Sequence, residues 1–133
     1  MNNFKENLSL ILLKIKKLKD KIYMKIFYFR TRKKGLDFVT EISPEQNGFD
    51  PKKVKRCTHS HTPYLKKSLE YLNISYDDSI LDIGCSKGAA LLCMNKFPFK
   101  KIDGIEISEN LADIAKSNFS RKIVVPHKSI QYA

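Results

Sequence analysis

The 133-residue sequence predicts an α/β protein built on a parallel sheet, and three observations carry that prediction. A short apolar run, Ile80, Leu81 and Ile83, stops abruptly at Gly84, as a buried parallel strand does. A segment of helical period follows from Gly88 to about Phe97 (Ala89, Ala90, Leu91, Leu92, Met94) and is closed by Pro98. The same alternation then repeats, with Lys101–Ile107 as a second strand and Glu109–Phe119 as a second helix turning Leu111, Ile114 and Ala115 inward. Ile123, Val124 and Val125 are placed to begin a third strand. A β-α-β-α-(β) order implies parallel strands joined by crossover helices.

Upstream, Met1 to about Arg30 has no Gly or Pro, and Leu8, Ile11, Ile15, Leu18, Ile22 and Phe29 recur at steps of three and four, with Lys25 interrupting the series. That spacing predicts an amphipathic helix, ended by Gly35. Its other faces carry Lys14, Lys16, Lys17, Lys19 and Lys21, and Arg30, Arg32, Lys33 and Lys34 follow the aromatic end. Such a helix is compatible with an anionic membrane surface or with nucleic acid. The plainer expectation is that its apolar stripe packs on its own domain or on a second copy, with Lys in water.

The formal charge of +11 is concentrated here, because residues 1–34 hold eleven basic and two acidic residues and the rest of the chain nets only +2. Apolar residues at 42% and charged residues at 29% suit a globular core and exclude a fibrous or disordered composition. Lys interrupts every apolar run well short of the roughly 18 residues that span a bilayer. No small-residue cleavage site follows Leu8–Leu13, so the expectation is a cytoplasmic protein without a signal peptide. Cys57, Cys85 and Cys93 lack paired spacing and are expected to be reduced, with no disulfide partner.

Residues 35–61 are rich in turn signals (Ser43-Pro44, Asn47-Gly48, Asp50-Pro51) and read as an irregular linker or cap between the helical arm, 1–34, and a domain spanning 62–133. Cys57, His59 and His61 share one face of an extended segment, but a zinc site normally adds a fourth ligand, so they read as polar loop residues and no metal is expected. Thr62-Pro63 is a helix start, with Leu65, Leu69 and Leu72 forming one stripe of a helix from Pro63 to about Leu72.

The chemistry concentrates in Ile80-Leu-Asp-Ile-Gly-Cys-Ser-Lys-Gly88, a glycine-bearing turn between strand and helix, where open α/β sheets bind nucleotide-like ligands. Glu106 ends the second strand 22 residues after Gly84, at the distance where a carboxylate accepts hydrogen bonds from ribose hydroxyls. A dinucleotide fingerprint wants glycine at 84 and 86; position 86 is Ser, which disfavours a pyrophosphate ligand although Ala89 fits the last place. Lys87 reads as a solvated helix-start residue, and Cys85 and Cys93 as small packing residues.

Asp82-Ile-Gly-Cys-Ser-Lys-Gly88 followed by Ile102-Asp-Gly-Ile-Glu106-Ile-Ser resembles the first two motifs of class I S-adenosylmethionine-dependent methyltransferases, over about a third of the chain, and Tyr64–Leu72 is similar to the helix that often precedes them. The resemblance implies a Rossmann-like parallel sheet and a methyltransferase using S-adenosyl-L-methionine. In it, Asp82 and the loop Gly84, Cys85, Ser86, Lys87 and Gly88 hold the methionine end, Glu106 grips the ribose, and Ile107 flanks the adenine. Ser86 departs from the family's usual glycine, and a left-handed backbone there costs on the order of 1–3 kcal/mol. The family's sheet has seven strands, whereas the 53 residues from Leu81 onward suffice for two βα units and one strand. The expectation is therefore a fragment, a shortened product or a chain completed by a partner, with catalytic residues and methyl acceptor unknown. Two alternatives remain open: an NAD(P)-dependent oxidoreductase domain, and a non-enzymatic basic adaptor acting through residues 14–34.

Overall fold

A computed structural model describes residues 2–40, 42–54, 62–122 and 128–132. Helix α1 (Asn2–Lys33) comes first, and its end is fixed by sequence. Gly35 takes a left-handed φ of 69°, its N–H donates to the Arg32 carbonyl, and the Leu36 N–H reaches back to the Thr31 carbonyl. This pair of bonds is a Schellman closure, and only glycine accepts that backbone without strain. Residues 36–40 and 42–54 belong to a cap that contains a 3-10 turn (Glu45–Asn47). Leu36 and Phe38 are buried beside Ala89, with Phe27 stacked on Phe38 at 5.8 Å between ring centroids.

Helix α2 (Pro63–Glu70) starts as expected, the Thr62 hydroxyl accepting from the Leu65 N–H and Pro63 occupying the first turn. The remaining elements are β1 (Ser79–Ile83), α3 (Ala89–Met94), β2 (Lys101–Glu106), α4 (Glu109–Lys122) and β3 (Lys128–Tyr132). The strands form one parallel sheet in the order β1-β2-β3. The fold class is thus the Rossmann-like one expected. Positions 123–125, where a third strand was expected to begin, lie outside the described residues, and the strand stands at 128–132. Helix α3 is shorter than its apolar pattern, with Asn95 as its C-cap and single turns carrying the chain to Pro98.

Register sets the two faces of the sheet. Ile80 pairs with Ile102 and Asp82 with Gly104, and this set faces the helices. Leu69, Leu91, Cys93, Met94 and Ile102 form the core there. Gly104 has no side chain because a Cβ would lie 2.8 Å from the Cys85 sulfur and 2.9 Å from Leu91. The opposite face carries Leu81 and Ile83, both exposed, the latter at 80%. Among the described residues no strand pairs with the outer edge of β1 or of β3, so the three-stranded sheet leaves one apolar face uncovered and both of its edges unpaired.

Candidate functional site

The site is built where β1 and β2 end side by side. Gly84 leaves β1 with φ 77°, and its N–H and that of Cys85 both donate to the Ile105 carbonyl, so the turn is tied to the neighbouring strand. The next bend falls at Ser86, φ 50°, among the described residues the only non-glycine in the left-handed region. The expected strain at this position is therefore present. Gly88, φ 84°, caps α3, and a Cβ there would lie 2.5 Å from the Phe119 ring. Over Gly84, in contrast, a Cβ would meet nothing within 4 Å: a ligand can lie against the main chain at that point.

Glu106 converges on this turn. Its carboxylate is 5% exposed; Oε2 accepts from the Ser86 N–H at 2.8 Å and Oε1 from the Ser108 N–H at 2.9 Å. The two backbone donors hold the side chain in one orientation, with lone pairs to spare on both oxygens. Asp82 sits half-buried on the same face of the sheet. Burial pushes its carboxyl above the ordinary range, and the negative charge of Glu106 adds to the rise. Beyond Glu106 an open cleft of about 550 Å3 lies between the cap (Gln46, Asn47, Phe49) and the start of α4 (Ile107, Ser108, Asn110). Asn110 bridges the two walls by donating to Asn47 Oδ1. Ile107 stands at its mouth, 61% exposed.

Lys87 is not the solvated residue that the sequence suggested. It is 4% exposed, and its ammonium donates to Asp37 Oδ2 at 2.8 Å and to the Thr40 carbonyl at 2.6 Å. The segment 36–40 comes down over the start of α3 and removes it from water. Only the main chain of residue 87 therefore faces the turn. Cys85 is likewise buried, its sulfur beneath Gly104, and Cys93 lies in the core, so both are packing residues as expected. Cys57, His59 and His61 lie outside the described residues.

Three contributors went unnoticed in the sequence. Ser108 caps α4, its hydroxyl accepting from the Leu111 N–H while its own N–H orients Glu106. A serine immediately before a helical run is the signal that would have found it. Asn118 is buried and donates to the Asp37 and Lys87 carbonyls, its Oδ1 accepting from the Asp37 N–H. Asp37 closes the network. These last two pair over 81 positions, and nothing local announces such a contact.

Comparison with known proteins adds the following. No protein-family model matches the chain, and no curated protein matches it. Solved structures do. The YcgJ protein of Bacillus subtilis aligns over 52% of this chain and 29% of its own, with 19% identity and a TM-score of 0.46. Geranyl diphosphate C-methyltransferase of Streptomyces coelicolor, solved with S-adenosyl-L-homocysteine, aligns over 53% and 27%, with 18% identity and a TM-score of 0.45. An S-adenosylmethionine-dependent methyltransferase of Clostridium acetobutylicum aligns over 51% and 26%, with 24% identity and a TM-score of 0.38. The chain thus spans between 26% and 29% of the length of these three proteins.

Proposed function

We propose that the chain carries the S-adenosyl-L-methionine-binding part of a methyltransferase. One observation carries this reading: the left-handed turn 84–88 and the Glu106 carboxylate meet at a single point, joined by the Ser86 N–H, with open space over Gly84. Charge supports the choice of ligand. Asp82 and Glu106 make the site anionic, and the ammonium of Lys87 is already taken by Asp37 and Thr40. A pyrophosphate would be repelled there, whereas a sulfonium with an α-ammonium group is attracted.

In this reading Glu106 accepts from the ribose hydroxyls, Asp82 faces the α-ammonium group, and the main chain of residues 84–88 lies along the methionine end. Ile107 flanks the adenine, which enters the cleft beside Phe49. Bound S-adenosylmethionine supplies a methyl group already activated by its sulfonium, so the protein's work is to hold and orient it.

The test is calorimetric titration of S-adenosylhomocysteine into the wild type, Glu106→Gln and Glu106→Ala. Glu106→Gln removes the charge and keeps an oxygen for one of the two backbone donors, setting its NH2 group against the other, and is expected to weaken binding on the order of 10- to 100-fold. No saturable heat in the wild type, or stronger heat with a reduced nicotinamide dinucleotide, refutes the proposal.

A further inference from the structure

Helix α1 reverses its expected packing. Its domain-facing side is not the apolar stripe but a second set of residues: Tyr23, Met24, Phe27 and Tyr28 are half-buried and Thr31 is buried. The Tyr64 hydroxyl donates to Asp20 on this same side at 2.9 Å, and Phe27 and Tyr28 pack on Leu36, Phe38 and Ala89. Leu18 and Phe27 are nine residues apart, which at 3.6 residues per turn places them about 180° apart around the axis. The stripe Leu8, Ile11, Ile15, Leu18, Ile22, Ile26 and Phe29 accordingly faces away from the sheet, each side chain between 44% and 61% exposed. Seven large apolar side chains in one row form a patch that water disfavours.

Charge decides what covers it. Lys14, Lys21 and Lys25 run along one margin of the stripe and Lys19 and Arg30 along the other, within a segment of eleven basic and two acidic residues. A second copy of the helix would set these margins against identical cations, and in a heptad seam beginning at Leu8 the residue Lys25 falls at a core position. Nucleic acid would neutralise the cations but leave the stripe between them in water. An anionic bilayer surface satisfies both, taking the apolar row into the headgroup boundary and the flanking ammonium groups to its phosphates. Among the described residues no helix is long and apolar enough to cross a membrane, so α1 lies along the surface. Because the domain is attached to the far side of the helix, the stripe can meet a bilayer without rearranging the sheet.

We propose that α1 docks the protein on anionic lipid surfaces through the Leu8–Phe29 stripe and its flanking Lys residues. The full chain is to be co-sedimented with vesicles of phosphatidylcholine mixed with phosphatidylglycerol, and with vesicles of phosphatidylcholine alone. Strong partition to the mixed vesicles that weakens with added salt is expected. The double variant Leu18→Gln/Ile22→Gln keeps the charge and touches no core residue, and should lower the partition coefficient about tenfold or more for each side chain. Lys14→Gln and Lys25→Gln should each lower it about fivefold. Circular dichroism and melting of each variant establish that the fold is unchanged. Indifference of the wild type to anionic vesicles overturns the proposal, as does undiminished binding by Leu18→Gln/Ile22→Gln. A concentration-dependent dimer without vesicle binding assigns the stripe to a second copy instead, and salt-dependent binding of duplex DNA without vesicle binding assigns the cations to nucleic acid.

Discussion

The buried ion pair between Lys87 and Asp37 predicts an asymmetry that a simple count of contacts would miss. The two partners differ in exposure: the Lys87 side chain is 4% exposed and that of Asp37 39%. Asp37→Asn removes the charge paired with a buried ammonium while an amide oxygen still serves the Val39 and Thr40 N–H groups that the carboxylate now accepts from. With the Thr40 carbonyl as its remaining partner, the stranded cation should cost about 2–3 kcal/mol, at or just below the bottom of the range for a fully buried pair because Asp37 is partly in water. Lys87→Met fills the same space with an apolar chain and leaves Asp37 half in water, still bonded to two backbone N–H groups, so it should cost only ~1 kcal/mol. The double variant should resemble Lys87→Met alone, a coupling of about 2–3 kcal/mol in the cycle. Urea unfolding of the four proteins reads these differences from midpoints at constant slope. Burial alone would raise the Asp37 carboxyl, yet the Lys87 ammonium and the Thr40 N–H outweigh it and hold the group below the usual carboxylate range. Its contribution is therefore full above the unfolded-state pKa and is lost as pH falls through the depressed folded value, and Asp37→Asn should abolish that part of the acid limb. Equal costs for the two single variants, or simple additivity, would refute the reasoning.

Two further outcomes follow from the site. Ser86→Gly relieves about 1–2 kcal/mol of left-handed strain and costs roughly 0.4–1 kcal/mol in the unfolded chain. It should therefore raise stability by about 0.5–1 kcal/mol while keeping the residue-86 N–H for Glu106; a lowered melting temperature would contradict the strain at φ 50°. Asp82 has a raised carboxyl in the folded protein, so its contribution to stability is present below the unfolded pKa and lost as pH rises through the folded one. Asp82→Asn should thus stabilise the free protein at neutral pH and at the same time weaken S-adenosylhomocysteine binding. Wild-type affinity should climb as pH rises through the raised Asp82 pKa, a climb that calorimetry should find missing in Asp82→Asn.

The legible parts of the sequence were those where a local rule operates. Period changes at Ser79 and Gly88 marked β1 and α3, Thr62-Pro63 marked α2, and the spacing from Gly84 to Glu106 foretold a convergence that the Ser86–Glu106 bond realises. A left-handed backbone at Ser86 could be raised only as a condition, because the resembled family usually has glycine there, and the structure meets that condition with φ 50°. The illegible parts depend on long-range packing. Lys87 looked like a solvated helix start because nothing near it in sequence says that Asp37, 50 positions away, will cover it. Helix α1 shows the same blindness in another form: its period identified a stripe and a polar face, but period cannot say which of them meets the domain. The aromatic residues Tyr23, Phe27 and Tyr28, spread among the cations, supplied the true contact.

The order β1-β2-β3 also constrains how the proposed ligand would be enclosed. In open parallel sheets the ligand crevice opens where the winding reverses, so that one wall comes from the helices following the first strands and the other from a strand on the far edge of the first. Here the winding runs one way only, from β1 through β2 to β3, and the outer edge of β1 is unpaired among the described residues. One wall of the cleft, bearing Phe49 and Ile107, is therefore formed, and on the proposed reading an opposing wall would be built against β1 and over the exposed Leu81 and Ile83. On the proposed reading, adenosyl recognition would rest on the turn and the two carboxylates, and an opposing wall would have to pair with the outer edge of β1, which is unpaired among the described residues.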